Sequence, residues 1–267
     1  MRPARPANLE RRSHGAFSTA RAPALAIGLS LGPACAEAVR VDYGISLGGF
    51  PLGTADVSST LEANRYSLQI QARLTGLAGA LTGGKGAANA AGALGGGRPM
   101  PSSFAVTSRS GSDQRTVRMG LAGGNVAAVD ITPPVDEKPD RVPVKEAHKR
   151  GVVDPVSAVI MPALARGDLM SPENCNRTIP VFDGAARFDV VLTYAETRTV
   201  EKPGYAGPVL VCNARYVPIS GHRTERPSTK FMQENRDMDV WLAPVPEARV
   251  LVPLRISVRT MIGTSVR

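Results

Sequence analysis

The chain has 267 residues, of which 43% are hydrophobic, 21% charged and only 4% aromatic, with 27 Gly and 22 Pro. That length supports one good-sized core or two small ones, built on Val, Leu, Ile and Ala, and the Gly and Pro content favours turns and strands over long helices. No apolar run reaches 18 residues, which excludes an ordinary transmembrane helix.

The formal net charge is +9. Much of it sits at the N-terminus, where Arg2, Arg5, Arg11, Arg12 and Arg21 precede the apolar stretch APALAIGLSLGPA and then Ala34-Cys35-Ala36. A basic region, an apolar region and a small-residue A-x-A site are the three parts of a secretory signal. The sequence therefore predicts a signal peptide over 1–36, cleavage after Ala36, and one exported periplasmic domain over 37–267. Removing five Arg and one Glu from 32 basic and 23 acidic residues leaves 27 and 22, a net of +5. The remaining basic residues read as scattered along strands, without the aromatic-interleaved stripe that nucleic acid binding requires. No nucleic acid partner is expected.

Export leaves Cys175 and Cys212, with 36 residues between them. An even pair in an oxidising compartment reads as a disulfide. There is no C-x-x-C, and only His148 and His222 remain in the mature chain to help hold a metal, so no metal site and no cofactor is expected.

In chain order, Val39 to Leu47 alternates apolar and polar or small residues, as a half-buried strand does. Thr54 to Leu61 reads as its hairpin partner, and Arg65 to Leu74 alternates again. Gly76 to Arg98 is Gly/Ala-rich and reads as a mobile loop followed by a short strand, or else as small-residue strands where backbones come close. Phe104–Ser110, Gln114–Leu121 and Asn125–Ile131 read as strands. The polar, Pro-rich stretch after Ile131 reads as an exposed loop. One helix is predicted over 154–167. Asp154 is its N-cap, Pro155 its first residue, Val156, Val159, Ile160, Ala163 and Leu164 its apolar face, and Gly167 its stop, with Pro162 suggesting a kink. Strands return at Thr178–Phe182 and Arg187–Tyr194 around an Asp183-Gly184 turn, then at Val209–Val217, Asp237–Leu242 and Arg249–Thr260. The fold class expected is mainly β: an antiparallel curled sheet, or a spiral or partly closed barrel, with one helix.

Catalytic signals are thin. Gly79 to Gly86, GALTGGKG, matches G-x-x-x-x-G-K, but Gly86 stands where Ser or Thr should meet magnesium, so it reads as a flexible turn. There is no G-x-S-x-G. His222 lies in a polar turn and could serve as a base or orient a ligand. Asp183 and Asp189 could pair as carboxylates, yet the turn explains the first and strand alternation the second. His222, Arg223, Asp183 and Trp241 are the candidate contacts for a ligand or partner.

An ordered set of residues carries a family resemblance. Asp154-Pro155-x-Ser157 is followed by Cys175, Val181-Phe182-Asp183-Gly184, Arg187-Phe188-Asp189 and Cys212. Then come Tyr216-x-Pro218-x-x-Gly221-His222-Arg223, Val240-Trp241-Leu242-Ala243 and Val252-Pro253-Leu254-Arg255. In that order the chain resembles an exported proteobacterial family catalogued as domain of unknown function 3108. The resemblance implies a periplasmic β-rich domain without an assigned reaction. A looser similarity in pattern is to envelope-integrity proteins that curl into a spiral β-barrel with a disulfide, an analogy of fold that transfers no function. Three functions stay open: a non-enzymatic envelope protein binding a lipid-like ligand or an envelope protein partner, a hydrolase using His222 and a nearby acid, and a filled scaffold with no site.

Overall fold

The computed structural model describes residues 37–62, 64–164, 168–261 and 263–266. The predicted signal peptide lies outside the described residues.

The first run of strands is β1 (Glu37–Leu47), β2 (Phe50–Leu61), β3 (Arg65–Leu74), β4 (Lys85–Gly95), β5 (Arg98–Ser110), β6 (Asp113–Ala122) and β7 (Asn125–Thr132), with helix α1 (Gly76–Thr82) between β3 and β4. The second run is β8 (Met161–Pro162), β9 (Arg177–Phe182), β10 (Arg187–Lys202), β11 (Tyr205–Ser220), β12 (Met238–Val245), β13 (Val250–Thr260) and β14 (Gly263–Val266), with helix α2 (Pro227–Glu234) before β12. All pair antiparallel in one sheet of order β7-β6-β5-β4-β3-β2-β1-β14-β13-β12-β11-β10-β9, and β8 pairs β13. The fold is the mainly β, curled antiparallel half-barrel expected. Both runs are meanders, and the last strand returns to the first. Among the described residues that seam is narrow: β1 and β14 pair at Ser46↔Val266 and Leu47↔Ser265. Tyr43 reinforces it by donating its hydroxyl to the Pro253 carbonyl, and burial pushes this phenol up to about 12.

Local chemistry sets the meander. The hairpins β1–β2, β4–β5 and β6–β7 close on Gly48-Gly49, Gly96-Gly97 and Gly123-Gly124, each glycine with positive φ. Two-residue turns that match the twist of a hairpin need positive φ at both positions, so paired glycines are the natural solution.

Two regions differ from the sequence-based expectation. Gly76 to Arg98 is not a mobile loop with a short strand. It forms α1 and then β4, an eleven-residue strand pairing β3 on one side and β5 on the other. Alternation along its Gly and Ala residues is too weak to read, yet both neighbours supply a full ladder. Nor is 154–167 a helix. Asp154 does cap, but only a 3-10 turn follows, Ser157–Val159, before the chain extends into β8. Pro162 cannot continue a helix, and it disfavours helical geometry at Met161 before it. Pairing Met161 with Leu251 and Pro162 with Val250 on β13 then decides the conformation. Gly167, the expected stop, lies outside the described residues.

The segment still fills the sheet as a plug. Val152, Val156 and Ile160 join Leu61, Tyr66, Leu68, Phe104 and Phe182 in one buried cluster. A second cluster gathers Met161, Cys175, Leu192, Leu210, Cys212, Val240, Leu242 and Leu251. The plug also bonds to both ends of the sheet. Val152 N–H donates to the Gly124 carbonyl, and Val153 N–H to that of Pro180. β7 and β9 do not pair, yet a Cβ built on Gly184 would lie 2.5 Å from Val117 Cγ1, so the β9–β10 turn packs against β6. The sheet is therefore drawn together across the plug without a continuous ladder.

Candidate ligand-binding site

The second run of strands forms an apolar hollow. β10 turns Phe188, Val190 and Leu192 to its concave face, because alternate strand residues share a face. β11 contributes Ala214 and Tyr216, and β13 contributes Pro253, Ile256 and Val258. The plug floors the hollow with Pro155, Ala158, Val159 and Met161, and Met232 of α2 covers one side. The cavity measures about 290 Å³, at the lower end of small-molecule sites.

Its polar groups gather where the sheet forks. β11 and β12 pair only from Leu210↔Leu242 to Asn213↔Asp239, whereas β11 runs on to Ser220. Arg215, Tyr216 and Asp239 line the cavity at that fork. Arg215 is exposed and makes no ion pair among the described residues. Burial raises the Tyr216 phenol above its usual pKa, and the Asp183 carboxylate adds to the effect. Ala214 and Tyr216 face the hollow, so Arg215 between them turns to the outer face, as does Asp239 beside Trp241, and a guest would meet an almost wholly apolar wall.

The residues singled out from sequence fall in two places. His222, Arg223 and Asp183 come together at one end of β10 and β11. There Val142 N–H donates to the His222 carbonyl (3.0 Å), and Gly221 N–H to the Val142 carbonyl (2.7 Å). Arg223 Nε donates to Asp140 Oδ1 at 2.9 Å. Asp183 Oδ1 accepts the N–H groups of Ala185 and Ala186 at 2.8 and 2.7 Å. Asp189 pairs with Arg187 at 2.7 Å. His222 Nδ1 is buried without a well-formed hydrogen bond. Burial lowers its pKa, with the Ser220 backbone opposing. Every acid named at this corner is thus already engaged by a turn or a guanidinium, and none orients the imidazole. Trp241 lies away from this corner. It packs between two guanidinium groups, with Arg255 at 4.8 Å and Arg198 at 5.3 Å from the ring. Cross-strand register puts it over Val211 on the face opposite Val240 and Leu242. There it helps to explain why Val211 and Val209, although outward-facing, are buried.

The corner is tightly built. Gly221 has φ +78, and a Cβ there would lie 2.0 Å from the Ala185 carbonyl oxygen and 2.6 Å from Ala186 Cα. Gly221→Ala is expected to lose about 2–4 kcal/mol by urea unfolding, from backbone strain and displacement of the turn. Gly44→Ala, with nothing within 4 Å of the added carbon, should stay within about 0.5 kcal/mol of the parent.

The family model described as "Protein of unknown function (DUF3108)" matches residues 40–267. The chain belongs to the DUF3108 family. The match takes in β2 to β14 and the plug, so the hollow and the Cys175–Cys212 disulfide both lie inside this DUF3108 domain. No curated protein and no solved structure matches it. Among the described residues the DUF3108 chain has no group of three or more His, Cys, Asp or Glu placed to hold a metal ion, and no helix long and apolar enough to cross a membrane.

A curled sheet binding a lipid-like ligand is among the sequence-based expectations, but the residues that line the hollow are not singled out there. Ile179, Val190, Ala214, Met232 and Met238 escape notice because alternation tells which face a residue occupies and not whether that face is filled.

Proposed function

We propose that this DUF3108 protein is an exported, non-enzymatic periplasmic protein that holds an apolar or amphipathic ligand in the hollow of its half-barrel. The observation that carries the reading is the composition of the cavity, lined chiefly by Val, Ile, Leu, Met, Phe, Pro and Ala. Burial of a methylene contributes about 0.8 kcal/mol, so a short acyl chain gains several kcal/mol there before the cost of association. Met161, Met232 and Met238 suit a lining that adapts to its contents. Export is supported by the signal-like N-terminus and by the disulfide, which persists in oxidising compartments. The hydrolase reading is weakened by the engaged acids around His222.

Filling the hollow tests this. Ala214→Phe puts a ring where β11 faces the cavity. Anilinonaphthalene sulfonate should fluoresce with the parent protein and be displaced by decanoic acid. In Ala214→Phe that displaceable signal should fall at least about tenfold in affinity, equivalent to about 1.4 kcal/mol, with the unfolding midpoint preserved. Equal binding by a folded variant would overturn the reading.

A further inference from the structure

Cross-strand register turns residues far apart in sequence into a row. Arg73 on β3 stands directly opposite Lys85 on β4, Lys85 opposite Arg109 on β5, and Arg109 opposite Gln114 on β6. Directly opposed residues share a face, and neighbouring strands lie about 4.8 Å apart, so three cations span about 10 Å. All three are exposed. Three of the basic residues that look scattered along the chain therefore form a local cluster. Lys85 is the lysine of the GALTGGKG stretch. That stretch builds no strand-loop-helix phosphate loop. It ends instead by placing its lysine at the start of β4, between two arginines.

The arrangement is costly unless something answers it, because like charges directly opposite each other destabilise a sheet. Among the described residues neither Arg73 nor Lys85 has an ion-pair partner. Arg109 is held by its own turn, with Nε donating to the Gly111 carbonyl at 3.2 Å. The row borders a depression of about 450 Å³, which Gln71 and Gln114 line with further hydrogen-bonding groups. Ala87 keeps the depression open, since a larger side chain at that position would occupy it. Asp56 lines the β2 side and leaves the site with three cations against one carboxylate.

We propose that this depression is an anion site for a ligand bearing two or more phosphate groups. Arg presents a planar fork suited to phosphate, and Lys a compact charge that sits between two such groups. A single carboxylate would engage one fork and leave the rest of the row unanswered. The site is on the first run of strands and does not depend on the apolar hollow or on the function proposed for it.

The test uses the whole mature chain and two probes, inorganic tripolyphosphate by calorimetry and phosphatidylcholine vesicles with or without phosphatidic acid by co-sedimentation. The double variant Arg73→Gln/Lys85→Gln should weaken binding about tenfold or more, the loss of at least one charge-assisted hydrogen bond. It should unfold at the same or a higher midpoint, because removing two opposed cations relieves repulsion. Arg40→Gln/Arg65→Gln removes the same charge elsewhere on the sheet and should leave affinity within about threefold, a change under about 1 kcal/mol. Binding of tripolyphosphate alone assigns a soluble oligophosphate, and binding of phosphatidic acid vesicles alone assigns a lipid headgroup. Either supports the phosphate chemistry. Binding of neither probe, or an equal loss in both double variants, overturns it.

Discussion

Replacing Cys175 and Cys212 together by Ala is expected to lower stability by about 4 kcal/mol, the chain-entropy value for a loop of this length. The sulfurs join residues 37 apart in sequence, with Cα atoms 5.6 Å apart. Both cysteines are fully buried within the second apolar cluster. Cys175 ends the 3-10 turn that precedes β9, and Cys212 sits in β11 opposite Tyr194 of β10 and Val240 of β12. The bond therefore ties the edge of the sheet to its interior across β10. Edge strand β9 pairs with one neighbouring strand over six residues, and on its other side only a single bridge, Val181 to Val153 of the plug, holds it among the described residues, so it depends on this tie more than an inner strand does. Urea unfolding of the double variant should show the loss, and reductant should reproduce it in the parent. A loss below about 1 kcal/mol would mean that ladder and core alone hold the edge.

Asp154→Ala is expected to cost about 3 kcal/mol, more than an exposed cap, because it strands buried donors. Asp154 Oδ1 accepts Val156 N–H at 2.9 Å and Ser157 N–H at 2.8 Å, and Oδ2 accepts the Ser157 hydroxyl at 2.5 Å. Tyr66 of β3 donates to Ser157 Oγ at 2.7 Å. This chain of bonds is the polar latch between plug and sheet, and Asp154 and Ser157 are both fully buried. Burial raises the Asp154 pKa despite the hydrogen bonds that lower it. A carboxyl whose folded pKa lies above its unfolded value, about 3.9, binds its proton more tightly when folded. Its contribution is then full below the unfolded pKa and is lost as pH rises through the folded one. Asp154→Asn keeps an acceptor for the two N–H groups and abolishes the titration. Stability of the parent relative to Asp154→Asn should be greatest in acid and decline as pH rises. A difference that grows with pH would contradict the assignment of burial as the dominant influence.

How much of this was legible in the sequence depends on what each residue had to encode. Clean alternation in Val39–Leu47, Arg65–Leu74 and Arg249–Thr260 made those strands readable, and the Asp183-Gly184 turn was readable from its residue types. β4 was hidden because Ala and Gly carry almost no facial contrast, so only the ladders of β3 and β5 define it. The plug was mistaken for a helix because its apolar spacing and its Asp-Pro start fit one, while Pro162 and the pairing with β13 prevented it. The disulfide followed from counting cysteines. The candidate sites were least readable. His222, Arg223 and Asp183 do meet, but in a corner closed by Asp140 and the Val142 strap. The hollow and the cationic row arise from register between strands far apart in sequence, which local pattern does not contain.

The most direct test of a ligand-holding half-barrel is native mass spectrometry of the protein recovered from a periplasm, before and after incubation with decanoic acid. The account predicts an oxidised chain beginning at Glu37, carrying a discrete extra mass of acyl-chain size or taking up one decanoic acid. An oxidised chain that stays bare in both samples, under conditions gentle enough to keep it folded, would contradict it.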